Sequence, residues 1–154
     1  DSAHGSAAGL KASGDGVRGA ALVCPVHRRT AKTLAALGDL PKNLLFVDPQ
    51  PYLEFNYLVK HAKAVITDSG GVTEETTEMG VPCITMRNTT ERQETGTVGT
   101  NELIGTDPAK LKPALDRLFD GRWKSGGVPP LWDGRTGARI VERLEALLCA
   151  SVAA

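Results

Sequence analysis

The chain has no excess charge of either sign, few aromatic residues, three cysteines and no long apolar run. Lysine plus arginine and aspartate plus glutamate number 18 each, so no global basic field exists to hold nucleic acid or an anionic membrane by charge. No apolar stretch approaches the roughly 18 residues of a membrane span, and no basic segment followed by an apolar one begins the sequence. Neither nucleic acid nor a membrane is therefore expected as a partner. Cys24, Cys83 and Cys149 are odd in number and lack metal-type spacing; two lie in apolar strand-like runs, where a thiol acts as a small hydrophobe. They read as reduced, which implies a cytoplasmic protein. Missing too are GxxxxGK[ST] and GxSxG, because Ser69 precedes Gly70-Gly71 without that last frame. These absences argue against P-loop phosphoryl transfer and a serine elbow. No cluster of side chains suits a metal.

What is present is enough for one domain with its own core: 154 residues, 41% of them hydrophobic. The first residue is Asp1, with no initiator methionine, and DSAHGSAAGLKASGDGVRG reads as the frayed remains of a helix and loop. Truncation is the expectation there.

Short apolar runs then alternate with helical spacing. Strands are expected at residues 20–26 (AALVCPV), 44–47, 64–67, 83–86 and 101–105. Between them lie a helix over 30–37 closed by Gly38, one to about Ala62 with Tyr52, Phe55, Leu58 and Val59 on one face, and one over 71–79 closed by Gly80. Thr106-Asp107-Pro108 offers an N-cap with proline at the first helical position. The helix that follows runs to Phe119, with Pro113 demanding a late start or a kink. Residues 123–133 form a glycine- and proline-rich loop pinned by Trp123 and Trp132, and residues 136–148 an amphipathic helix through Ile140, Val141, Leu144, Leu147 and Leu148. Continuously apolar strands separated by helices of about ten residues make an α/β fold, a parallel sheet covered on both faces.

Ligands of such sheets sit beyond the carboxyl ends of the strands. Asp48-Pro49-Gln50, Asp68-Ser69-Gly70-Gly71 and Arg87 to Arg92 all fall there, which predicts one shared crevice. Paired glycines at a helix tip let the backbone approach a ligand closely, and the N–H groups and helix dipole favour a phosphate or diphosphate; the same turn can also serve merely to pass from strand to helix. Glu74 and Glu75 would repel a phosphate at the tip, so one of them suits a neutral diol such as ribose, unless both are solvated surface charge. Arg87 and Arg92 match phosphate oxygens, and one of them can instead pair with Glu91 or Glu94. Gln50 and Phe55 could bind and stack a base, though the pattern alone makes Phe55 a core residue. His27, beside a proline at a strand end, is the one candidate acid, base or phosphate ligand, against a purely structural role.

Taken together, Asp68-Ser-Gly-Gly71, Glu74-Glu75, Gly80-Val-Pro82, Thr90-Glu-Arg92 and Gly99-Thr-Asn101 resemble the non-hydrolysing UDP-N-acetylglucosamine 2-epimerases. Pro25-Val-His27, Asp48-Pro-Gln50, Gly105-Thr-Asp107 and Trp132-Asp-Gly134 extend the resemblance, in the same order, over residues 20 to 148. It implies the C-terminal, Rossmann-like half of a GT-B-type arrangement: a remnant at 1–19, a UDP-binding domain at 20–150 and a tail at 151–154. It further implies reversible epimerisation at sugar C2 through elimination of UDP to a C1–C2 alkene and re-addition, with no cofactor. Ser69, Gly70 and Gly71 would bind the diphosphate, Arg92 the phosphates, Glu75 the ribose, and Gln50 and Phe55 the uracil region. The proton-transferring carboxylates would lie in a missing N-terminal half, so the implied partners are that half and a UDP-sugar, with homodimerisation open to the complete protein. Other readings are half of a GT-B glycosyltransferase and a non-catalytic nucleotide-sugar-binding module.

Overall fold

The computed structural model describes residues 12–14, 17–27, 30, 32, 34 and 40–152. Its strands are β1 (Leu22–Pro25), β2 (Leu44–Val47), β3 (Val65–Thr67), β4 (Cys83–Thr85) and β5 (Asn101–Leu103). Its helices are α1 (Tyr52–His61), α2 (Gly70–Met79), α3 (Gln93–Thr97), α4 (Leu111–Phe119) and α5 (Thr136–Val152). All pairings are parallel, as the βα alternation requires. β1 pairs with β2, in register Leu22 to Leu44, while β3, β4 and β5 form a second ladder in that order. Among the described residues no ladder joins the two. Residues 30, 32 and 34 are helical, and the rest of the helix expected there lies outside the described residues.

The core is built on β4. Ile84 is fully buried, and on its side of the sheet α4 presents Leu111, Ala114, Leu115 and Leu118, a stripe at helical spacing, with Val17 completing the cluster. Of the stretch 1–19, residues 12–14 are helical, Val17 lies in this core, and Arg18 pairs with Asp116 and Asp120 at 3.3 and 2.8 Å. Side chains alternate along a strand, so Cys83 and Thr85 point the other way, toward the buried threonines of α2, Thr73, Thr76 and Thr77. These hydroxyls are satisfied locally: Thr73 donates to the Gly70 carbonyl at 2.6 Å, and Thr76 and Thr77 to that of Thr73 at 3.1 and 2.8 Å. Burial without partners would be costly. Gly99 fits against this layer only because it has no side chain; a Cβ there would stand 2.5 Å from Thr77 Oγ1.

Several boundaries follow directly from the residues. Gly80 closes α2 at φ +68°, with its own N–H reaching Thr77 and that of Val81 reaching Thr76, the paired bonds of a Schellman cap. Asp107 caps a 3₁₀ turn, Pro108–Lys110, by accepting from the Ala109 N–H at 2.9 Å. α4 starts only at Leu111, so Pro113 falls in its first turn, where its missing N–H has no helical partner to lose. This is the late start expected for it. On α1, Val59 is buried and Phe55 half-buried, but Tyr52 and Leu58 of the expected inner face are exposed. In the 123–133 loop Trp123 does the pinning: its indole N–H donates to the Thr100 carbonyl at 2.9 Å, and its ring packs on the core. No helix among the described residues is long and apolar enough to cross a membrane.

Candidate functional site

The three carboxyl ends of β3, β4 and β5 carry polar segments that meet. After β3 the chain passes through Asp68 and Ser69 into α2. The Ser69 N–H donates to Thr67 Oγ1 at 3.0 Å, and the Ser69 side chain makes no cap bond. Thr73 N–H reaches the Ser69 carbonyl at 3.4 Å, whereas for the N–H groups of Gly70, Gly71 and Val72 no acceptor exists among the described residues. Three donors and the positive end of a ten-residue helix thus face the crevice. No acidic residue occupies the first turn.

The glycines differ in what surrounds them. A Cβ on Gly71 would meet only Ser69 Oγ, at 4.0 Å, so packing does not demand a glycine there. A Cβ on Gly70 would stand 3.1 Å from Glu91 Oε1 and 3.9 Å from Arg87 Nη1. The loop after β4 therefore folds back over the tip of α2. Within it Arg87 Nη1 lies 3.6 Å from Glu91 Oε2. Glu91's own backbone N–H, then the charge of Arg87 and more weakly that of Arg92, hold its carboxyl below the usual carboxylate range.

Arg92 and Glu74, 18 positions apart in the sequence, are brought together: Nε lies 2.9 Å from Glu74 Oε1. The charges are in contact, yet the angle makes no hydrogen bond, and Nε remains a buried donor without an acceptor among the described residues. The ion pair is real by distance; what it lacks is alignment. A chain of buried polar groups fixes the backbone from which Arg92 projects. Thr85 Oγ1 donates to Asn101 Oδ1 at 2.6 Å, Asn101 Nδ2 to Thr95 Oγ1 at 3.2 Å, and Thr95 Oγ1 to the Arg92 carbonyl at 2.7 Å. From β5, Gly105 comes close to Asn88 of the same loop: its Cβ position is 3.2 Å from Asn88 Oδ1.

Ser69, Gly70, Gly71 and Arg92 thus gather around one crevice, with Arg87 beside them. Glu75 is half-buried on α2. Gln50 lies elsewhere, just before α1: its Nε2 donates to the Asp48 carbonyl at 2.6 Å, and it lines a shallow, mainly apolar cavity of about 360 Å³ with Leu53, Glu54, Tyr57 and Leu58. Phe55 does not line that cavity. His27 is exposed just past β1, and among the described residues no backbone hydrogen bond joins it, Gln50 or Phe55 to the glycine turn. Sequence reasoning passed over Asn101 and Thr95 as site supports. Asn101 stood there only as the last letter of the Gly99-Thr-Asn101 motif and Thr95 not at all, since their role depends on β4 and β5 being neighbours. The Glu91–Arg87 contact was one of the pairings, with Glu91 or Glu94, open to the two arginines of the loop.

Residues 5–145 match the family profile described as UDP-N-acetylglucosamine 2-epimerase. The chain is 39% identical over 131 residues to the UDP-N-acetylglucosamine 2-epimerase of Methanocaldococcus jannaschii, covering 80% of this chain and 35% of that protein. It is 41% identical over 108 residues to the one from Escherichia coli strain K12, covering 68% of this chain and 29% of that protein. A crystal structure of the M. jannaschii UDP-GlcNAc 2-epimerase, in complex with UDP-GlcNAc and UDP, superposes with a TM-score of 0.69 at 36% identity, covering 90% of this chain and 41% of that one. The chain thus spans about a third of the length of these curated relatives.

Proposed function

The chain belongs to the UDP-N-acetylglucosamine 2-epimerase family, and on that premise we propose that it is the UDP-binding half of a cytoplasmic isomerase interconverting UDP-GlcNAc and UDP-ManNAc. The observation that carries this reading is the tip of α2: three N–H donors without acceptors among the described residues, under a glycine whose outward side is open. A diphosphate supplies the oxygens that such donors need. Gly70, Gly71 and the Ser69 hydroxyl bind it, and Arg92, with its unaligned Nε, turns toward it. Glu75 accepts from the ribose hydroxyls, and Gln50 and Phe55 contact the uracil region.

The chemistry divides between two halves. Removal of the C2 proton and cleavage of the C1–oxygen bond release UDP and leave a C1–C2 alkene in the sugar; re-addition with the proton on the opposite face completes the inversion. The charge that develops on the departing diphosphate is stabilised by the α2 tip and Arg92, donors fixed before the reaction begins. The carboxylates that move the proton belong to the N-terminal half that is this chain's partner, leaving His27 as the one candidate here. Three thiols kept reduced fit cytoplasmic residence.

Calorimetric titration of UDP against the chain, its Gly71→Ala variant and its Arg92→Ala variant tests the reading. Both substitutions are expected to weaken UDP on the order of tenfold or more. Gly71→Ala should do so without loss of thermal stability, since alanine is the better helix former and the added methyl has room. Equal dissociation constants for all three proteins would refute the site.

A further inference from the structure

Each arginine beside the α2 tip is in contact with a carboxylate, but the two carboxylates are held differently. Glu74 is part of α2 and rides on a helix. Glu91 sits in a loop, its side chain 57% exposed, and its Oε1 stands 3.1 Å from the Cβ position of Gly70, the first residue of α2. Its Oε2 lies 3.6 Å from the Arg87 guanidinium. A negative group thus lies against the first residue of the helix tip, paired with a cation suited to phosphate. The groups facing it are Arg87 and Arg92 from the same loop and the glycine turn from α2, with Glu74 beyond Arg92.

We propose that the Glu91 carboxylate is a built-in guard at the edge of the phosphate site, beside Gly70 and Arg87, which a diphosphate displaces on binding, so that Glu91 sets a threshold rejecting weaker anions. The proposal rests on the reading of the α2 tip as a diphosphate site. A carboxylate and a phosphoryl group cannot both sit over Gly70 beside Arg87, because like charges in contact repel. Displacement is mechanically simple: the Glu91 side chain projects from a loop with room in solvent, and Arg87 stays behind to meet the ligand. A nucleoside diphosphate brings about three negative charges and further anchors on its ribose and base. Inorganic phosphate brings fewer charges and no anchor, so the same toll excludes it. Selectivity of this kind is built against the wrong ligand rather than for the right one.

The test compares UDP and inorganic phosphate binding to the chain and to its Glu91→Gln, Arg87→Gln and double variants. Glutamine keeps the shape of the side chain and removes its charge. Glu91→Gln is expected to tighten UDP on the order of tenfold and to bring phosphate binding into the measurable range. The gain should shrink when Arg87 is already glutamine, because the pair is coupled. A purely structural role for Glu91 in ordering the loop predicts the opposite sign, weaker UDP binding. If the unaltered chain binds UDP and Glu91→Gln binds it no better, the proposal fails and the diphosphate site stands. If the unaltered chain binds no UDP, the site reading itself fails and takes the proposal with it.

Discussion

Asn101 shows how much of the site depends on a residue that touches no ligand-binding candidate side chain. It is buried, with its amide oxygen committed to Thr85 and its amide nitrogen to Thr95. Replacing it by alanine would leave the Thr85 hydroxyl without its acceptor, at a cost of about 2–3 kcal/mol. Urea denaturation should record that loss, and UDP affinity should fall as well, because the Arg92 backbone is tied through Thr95. Thr97→Ala is the control: that hydroxyl is exposed, bonds only the Gln93 carbonyl, and should cost less than about 0.5 kcal/mol. Equal midpoints for the two variants would show that the buried chain does not anchor the loop. At this scale the sequence was legible where chemistry is local. The glycine turn and Arg92 could both be read from neighbouring letters. The pairing of Arg92 with Glu74 could not, because it needs the loop after β4 to cross the helix after β3.

Elements were read most accurately where a single residue dictates their end. Strand β2 occupies the four apolar residues expected of it, and Gly80 closes α2 in the left-handed conformation that its identity announces. Gly80→Ala should therefore destabilise the protein by about 1 kcal/mol, measured as a shift in the thermal midpoint, since a side chain at φ +68° is strained. No shift would mean that the cap is not under selection by geometry. α3 escaped the sequence because QETGT has no apolar period; its single turn is organised by Thr95, which bonds back to Arg92 through both its N–H, at 3.2 Å, and its hydroxyl. The C-terminal helix presents the converse case. Its apolar stripe reads correctly as amphipathic, but Ile140, Val141, Leu144, Leu147 and Leu148 are each more than half exposed. Periodicity reports that a face is apolar and is silent about what covers it.

Across the whole molecule, the polar crevice and the apolar core share β4: Ile84 faces α4, while Thr85 begins the hydrogen-bond chain that ends at Arg92. That common strand carries Cys83, fully buried, its thiol pushed up in pKa by burial. Cys149 is exposed and Cys24 half-covered. The three thiols consequently form a graded set of chemical clocks. An alkylating reagent should consume Cys149 at once, and Cys83 only when the domain opens around it. Binding of UDP to the closed form should slow the Cys83 clock by the factor one plus ligand concentration over its dissociation constant, and leave that of Cys149 unchanged. Mass spectrometry of the labelled peptides would read both rates in one sample. A Cys83 rate indifferent to UDP, in a chain that binds UDP, would show that the strand opens without the crevice. Such a result would divide into two dynamic units what hydrogen bonds draw as one.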